Sequence, residues 1–333
     1  MLNGELKEFI YNGAAIIGQL KENSVAVDLE AELIRRIKDK EVFVVKVSGM
    51  RNEEDSVTAK VIGDYMGIIP KAQVSNRMYV RNNMDELIGQ NVPVIVKSFD
   101  PNTKIVQLSR VDAIRELREG FLGEILPTLE EINADGINYK KYLTKHAEGS
   151  DPYYDKYPIV KAKVINYDVN SNRVYVNVAG LDIIGNMNIA MFDYRFIYNP
   201  EKYLEEFMKP NTVIDVALLA YYDNSKDKMP STFVVSRRHA LPNPWQGIET
   251  KIRVGDIIVV NALEKKDSHF FGSYDNFPLD IKCYYPEIPD KGTNDNDEKY
   301  GRRLITPGKE YKVKVEIVNA HNKLLTASYI SEL

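Results

Sequence analysis

The chain is 333 residues long, 44% hydrophobic and 28% charged, with a formal net charge of −4. These proportions describe a folded chain with room for two or three cores and exclude a disordered one. The acidic balance also argues against a protein that grips polyanions by bulk charge alone.

No apolar stretch is long enough to span a bilayer, so no membrane partner is expected. Met1-Leu-Asn-Gly-Glu-Leu-Lys-Glu8 lacks the basic-then-apolar order of a signal peptide, and a single cysteine, Cys283, suits a reducing compartment; the expected location is cytoplasmic. His146, His239, His269 and His321 are scattered without ligand spacing, which argues against zinc. Asp295, Asp297 and Glu298 do not fit a calcium loop and read as solvated. Gly13 and Gly18 are spaced like a phosphate loop, but Gln19 and Leu20 stand where its Lys and Ser/Thr belong. No cofactor, metal or catalytic residue is expected.

In chain order, residues 1–40 read as a hairpin, Ala14–Leu20 and Ser24–Leu29, followed by a short helix with Leu29, Leu33, Ile34 and Ile37 on one stripe. Residues 41–111 carry five strand-like runs: Val42–Val47, Ser56–Val61, Met66–Ile69, Asn91–Phe99 and Ile105–Leu108. Alternation in the second run turns Val57, Ala59 and Val61 inward. Residues 112–156 form a helical linker, in which Asp112–Leu126 carries an apolar stripe and Pro127 is expected to end the helix. Residues 157–240 repeat the strand pattern with Ile159–Ile165, Arg173–Val178, Gly185–Ile189, Thr212–Ala220 and Phe233–Arg237, interrupted by a helix-like insertion at Pro200–Met208. Residues 241–253, with Pro242, Pro244 and Trp245, are a stiff linker. Residues 254–333 offer Val254–Val260, Phe270–Tyr274, Leu279–Cys283, Tyr311–Val318 and Leu324–Ser328, around a polar loop at 289–300.

One stretch is specific in its order. Asp64-Tyr-Met-Gly-Ile-Ile-Pro70 is followed by Leu87-Ile-Gly89 ahead of an apolar run and then by Ile105-Val-Gln-Leu-Ser-Arg110. This resembles the S-one RNA-binding motif, an oligonucleotide-binding (OB) barrel, clearly over 42–110 and more weakly over 157–238 and 254–328. Phe233-Val-Val-Ser-Arg237 echoes Val106-Gln-Leu-Ser-Arg110. The last segment departs most, because its third strand lacks glycine and Ala-Ser-Tyr replaces Leu-Ser-Arg. The resemblance implies a mainly β chain of tandem five-stranded OB-fold barrels joined by a helical linker. It also implies non-catalytic binding of single-stranded RNA, or of single-stranded DNA.

In such a barrel the second and third strands meet the nucleic acid, rings stacking on bases and cations meeting phosphates. Arg173, Tyr175 and Asn177 share one strand face in the second segment, with Lys161 and Lys163 outward on the strand before. In the third, at least two of Phe270, Phe271, Tyr274 and Phe277 must be core; Phe271 and Tyr274 remain for stacking, with Lys312 and Lys314 on a later strand. The first offers Lys60, Lys71, Lys97 and Arg110, with Tyr65 as its nearest ring. The rival expectation is an assembly component whose barrels meet proteins, which the negative charge and the ring-poor first segment favour. A nuclease would need a further domain, and 1–40 and 111–156 are too short for one.

Overall fold

The computed structural model describes residues 28–134, 156–195, 197, 203, 211–223, 231–274, 277–285 and 304–333. The expected hairpin, most of the 200–208 insertion, His146 and the acidic loop lie outside these residues.

The first helix, Leu29–Asp39, starts where the Asp28 carboxylate accepts from the backbone N–H of Glu30 and Ala31 at 3.1 and 3.2 Å. It ends at Lys40, whose φ of 49° is left-handed. Its Leu33 is fully buried in the core of the first barrel. That barrel consists of β1 (Phe43–Arg51), β2 (Ser56–Ile62), β3 (Tyr65–Pro70), β4 (Asn91–Asp100) and β5 (Ile105–Ser109). The second contains β6 (Ile159–Asp168), β7 (Arg173–Val178), β8 (Ile183–Asn188), β9 (Val213–Tyr222) and β10 (Thr232–Ser236). The third contains β11 (Ile257–Lys265), β12 (His269–Ser273), β13 (Asp280–Tyr284), β14 (Glu310–Asn319) and β15 (Leu324–Glu332).

All three close in the same order, first-second-third-fifth-fourth strand. The closure runs through a parallel pair each time, β3 with β5, β8 with β10, and β13 with β15. β1 pairs with β4 through Phe43–Lys46 and with β2 from Val47 onward, with a bulge between Val47 and Gly49. β6 and β11 divide in the same way, with bulges at Val164–Asn166 and Ala262–Glu264. A bulge sharpens local twist, so one strand can serve both halves of a small barrel. This is the tandem OB-fold architecture.

The cores follow the alternation. Val57 and Ala59 are fully buried and Val61 packs beside them. Two glycines sit where the barrel wall closes most tightly. A Cβ at Gly67 would lie 2.4 Å from Leu108 Cδ1 and 2.7 Å from Val61 Cγ2; at Gly185 it would lie 2.7 Å from Val176 Cγ2. The matching position of the third barrel is Cys283, and its partner across the parallel pair is Ala327, where the other barrels have Val106 and Phe233. A smaller neighbour makes room for the thiol. Burial pushes that thiol up to about 12, so Cys283 is an inert core residue.

β1, β11 and β15 each run four or five residues past their expected ends, to Arg51, Lys265 and Glu332, and two further boundaries differ for local reasons. The long helix spans Arg110–Ala134 and runs through Pro127. The carbonyl that the proline ring crowds belongs to Gly123, an exposed residue without a side chain. Leu129 and Ile132, past the proline, are buried in the second barrel's core. Two such burials, at roughly 1.5–3 kcal/mol each, outweigh a penalty of about 3 kcal/mol for proline within a helix. In the third barrel, β11 starts at Ile257 rather than Val254, because Arg253 N–H donates to the Asp256 carboxylate at 2.8 Å and Gly255 takes φ 92°. Residues 253–256 are thus committed to a turn.

Candidate nucleic-acid interface

The central residues of the parallel pairs (Gly67, Gly185 and Cys283) put the three barrels in one frame. In that frame Thr58, Tyr175 and His269 share one outward position on the second strands; Lys60, Asn177 and Phe271 share the next. Their cross-strand partners on the third strands are Ile68, Asn186 and Tyr284, then Met66, Ile184 and Lys282.

The third barrel makes the most of this face. β12 turns Phe270 inward, fully buried, which leaves His269 and Phe271 half-exposed on the outside. Their rings meet edge to face at 4.9 Å. On β13, Ile281 and Cys283 point inward while Lys282 and Tyr284 point out, and Lys282 Nζ stands 5.0 Å from the Tyr284 ring centroid. Cross-strand pairing sets Tyr284 beside His269 and Lys282 beside Phe271. Partial burial, then the charges of Lys282 and Lys266, lower the His269 pKa below its ordinary value, so the ring is neutral near pH 7. Three rings and an ammonium therefore share one patch. Sequence reasoning found Phe271 alone, because it ended β13 at Cys283 and counted the histidines only as metal ligands. Extending the alternation Ile281–Cys283 by one residue would have exposed Lys282 and Tyr284.

In the second barrel, Tyr175 is half-exposed between Asn166 on β6 and Asn186 on β8. Arg173 is exposed between Asp168 and Asn188. Asp168 is engaged by its own turn, accepting from Asn170 N–H at 3.0 Å and from the Ser171 hydroxyl. Asn177 is outward as expected but buried, donating to Asp182 Oδ1 at 3.3 Å. It faces the neighbouring barrel, not solvent.

The first barrel carries no ring on this face. Thr58 is engaged by the Ser48 hydroxyl at 3.2 Å, Ile68 is buried, and Lys60 and Met66 are exposed. Tyr65 is buried, with its hydroxyl donating to Glu30 at 3.1 Å and accepting from Lys104 at 3.2 Å, so it cannot stack on a base. The bulge between Lys60 and Ile62 pairs Tyr65 with Ile62 and turns the ring into the core. Arg110 is also withdrawn: it is buried and grips Asp182 with two nitrogens, at 2.8 and 3.0 Å.

The remaining lysines divide. Lys71 pairs with Asp55 at 3.2 Å, Lys97 with Asp112 at 2.7 Å and Lys161 with Asp215 at 3.3 Å. Lys312 and Lys314 are exposed, but on β14, which β11 separates from β12. Tyr274 packs against the third core, its ring 6.5 Å from Phe277. None of these six adjoins the rings of β12 and β13.

Asp182 is the centre of the contact between the first two barrels. It lies in the β7–β8 turn with φ 55°, and its carboxylate accepts from the Ser75 hydroxyl at 2.6 Å as well as from Arg110. Burial raises its pKa, but Arg110, Ser75 and Arg118 more than reverse this and hold the group below the ordinary carboxylate range. Arg77 Nε donates to the Asp182 carbonyl at 3.1 Å, and Arg118 Nη2 to the Leu181 carbonyl at 2.9 Å. Among the described residues no helix is long and apolar enough to cross a membrane.

No protein-family model matches the sequence, and no curated protein resembles it at a significant level. Among solved structures, GSP13 from Bacillus subtilis is 21% identical over 21% of this chain, with a TM-score of 0.18, and the chain spans about half (52%) of that protein. The a/eIF2alpha–aDim2p–rRNA complex from Pyrococcus horikoshii is 17% identical over 34% of this chain and 71% of its own, with a TM-score of 0.21. Drosophila Unr CSD456 is 8% identical over 88% of this chain and 97% of its own, with a TM-score of 0.20. At such scores a likeness carries no functional meaning for this chain, and the closed strand order is what identifies the fold.

Proposed function

We propose that this chain is a non-catalytic single-stranded nucleic-acid-binding protein whose ligand is RNA. The observation that carries the reading is the outer face of β12 and β13, where His269, Phe271 and Tyr284 surround Lys282. Flat rings stack on bases of any identity, and an ammonium beside them meets a phosphate. Tyr175 and Arg173 give the second barrel a smaller face of the same kind. The resemblance of 42–110 to the S-one motif supports the same reading. Tandem weak faces on one chain raise each other's effective concentration, which suits a protein without bulk positive charge.

The test is fluorescence anisotropy of labelled single-stranded RNA, single-stranded DNA and duplex, titrated with the full chain over a range of salt. Single-strand-selective, salt-sensitive binding that falls with Tyr284→Ala supports the proposal. No binding at low salt removes it. A second reading, an assembly protein, is favoured by the ring-free first barrel with its exposed Met50 and Met66. It gains if the titration fails and the chain co-purifies with a stoichiometric protein partner.

A further inference from the structure

Among the described residues, cations outnumber carboxylates where the first two barrels meet: Arg77, Arg110, Arg118 and Lys163 face Asp182 and Glu86. Asp182 is already occupied by Arg110 and Ser75. Arg77 and Arg118 instead donate to adjacent neutral oxygens of one turn, Arg77 to the Asp182 carbonyl at 3.1 Å and Arg118 to the Leu181 carbonyl at 2.9 Å, with the Asp182 carbonyl 3.5 Å away. Two guanidinium groups drawn to neighbouring carbonyls repel each other, and that repulsion adds to burial in lowering the Arg118 pKa. Arg118 Nε is buried with no hydrogen-bond partner. Lys163 is likewise disfavoured as a cation, first by burial and then by Arg110, against the attraction of Glu86. The turn that supplies both carbonyls is itself unusual, with Ala179 at φ 57° and Asp182 at φ 55°. Strained non-glycine residues persist where surroundings over-determine them, often at ligand sites.

We infer that this junction is a phosphate-binding site, in which Arg77, Arg118 and Lys163 hold one phosphodiester of a nucleic-acid strand. An anion there would relieve the like-charge crowding. The position fits a continuous path. Asn177 pairs with Lys163 across the β6–β7 ladder and donates to Asp182, and it lies two residues beyond Tyr175 on the same face of β7. Two strand residues span about 6.6 Å, close to the stride of an extended polynucleotide. A base on Tyr175 therefore leaves its neighbouring phosphate at the junction. Arg110 is not part of the site, since its role is to hold Asp182.

The identity of the ligand rests on the proposed RNA binding, but the anion site can be tested without it. Thermal unfolding of the full chain is followed with inorganic pyrophosphate at constant ionic strength, for the unaltered chain, Arg77→Gln, Lys163→Gln and Arg118→Lys. A melting temperature that rises with pyrophosphate in the unaltered chain, and less in Arg77→Gln and Lys163→Gln, supports the site whether or not RNA binds. Arg118→Lys keeps the charge and the fold while losing the planar fork, so it should weaken the rise without abolishing it. The RNA titration then tests the path. The slope of log affinity against log salt should fall by about 0.7 per lost phosphate contact in Arg77→Gln, and stay unchanged in Tyr175→Ala. Equal pyrophosphate response in all four chains, or a response that survives unfolding of the first two barrels, would overturn the site as a purely structural cluster.

Discussion

In the first barrel Thr58, Lys60, Met66 and Ile68 hold the outward positions of the second and third strands; in the third barrel the same positions carry His269, Phe271, Lys282 and Tyr284. Inside, the two barrels agree residue for residue in role. Each closes through a parallel pair, each splits its first strand at a bulge, and each places a small side chain at the tight point of the wall. The difference shows that a strand carries two messages on alternate residues. The inward set answers to a fixed volume, so it is constrained in all three barrels. The outward set answers only to whatever lies against it, and so one fold presents a ring-rich patch, a mixed patch and a ring-free one.

The comparison breaks most forcefully where the first barrel docks. Asp182→Ala leaves Arg110 buried without its carboxylate, and the expected loss is about 3–5 kcal/mol of stability, read by urea unfolding with a probe on the first two barrels. The third barrel's transition should not move. Acid should act on the same bond. The Asp182 pKa is lowered in the folded state, so its stabilisation is complete above the ordinary aspartate value and is lost as pH falls through the lowered one. Unfolding midpoints at pH 7 and pH 3 should then differ less in Asp182→Ala than in the unaltered chain.

The shared inner design is sharpened by overpacking. Gly67→Ala and Gly185→Ala place a methyl under 3 Å from core side chains, with an expected loss of about 1–3 kcal/mol in calorimetric or denaturant unfolding. The outer difference is tested by truncating rings. Phe271→Ala and Tyr284→Ala should each weaken single-strand binding by about 1–3 kcal/mol, and Tyr175→Ala by the lower part of that range. Thr58→Val, at the position equivalent to Tyr175 and His269, should leave affinity unchanged by anisotropy.

The smallest effect concerns pH. Because His269 has a lowered pKa, it stays neutral through the neutral range and gains its charge only below the ordinary histidine value. RNA affinity should be flat from pH 8 to 7 and strengthen modestly on acidification. His269→Gln should abolish the rise, as measured by the same titration across pH.

Much of this architecture could be read from period-two alternation, which located Val57, Ala59, Val174, Val176 and Val178 on the inside and Arg173, Tyr175 and Phe271 on the outside. Alternation states which side of a strand a residue faces, not what covers that side. Asn177 shows this: it is outward on its own strand yet buried, donating to Asp182 at the contact with the first barrel. The withdrawal of Arg110 escaped for the same reason, since a long-range contact such as Arg110–Asp182 leaves no local pattern. Tyr65 failed differently, because a bulge shifted the register by a residue. Pro127 failed because a local rule met a glycine four residues earlier and apolar burial beyond it.

The helix at Arg110–Ala134 has a consequence for how the protein is made. Ile114, Phe121, Leu129 and Ile132 complete the core of the second barrel, whose first strand begins only at Ile159. During synthesis the helix leaves the ribosome before the strands that will cover it, with its apolar stripe bare. The first barrel, already finished, anchors one end of that helix through Asp112 and Lys97. The second barrel then assembles on a surface held in place by its predecessor. The order of the barrels along the chain is therefore also an order of folding, and a second barrel produced without the preceding segment would emerge with part of its interior missing.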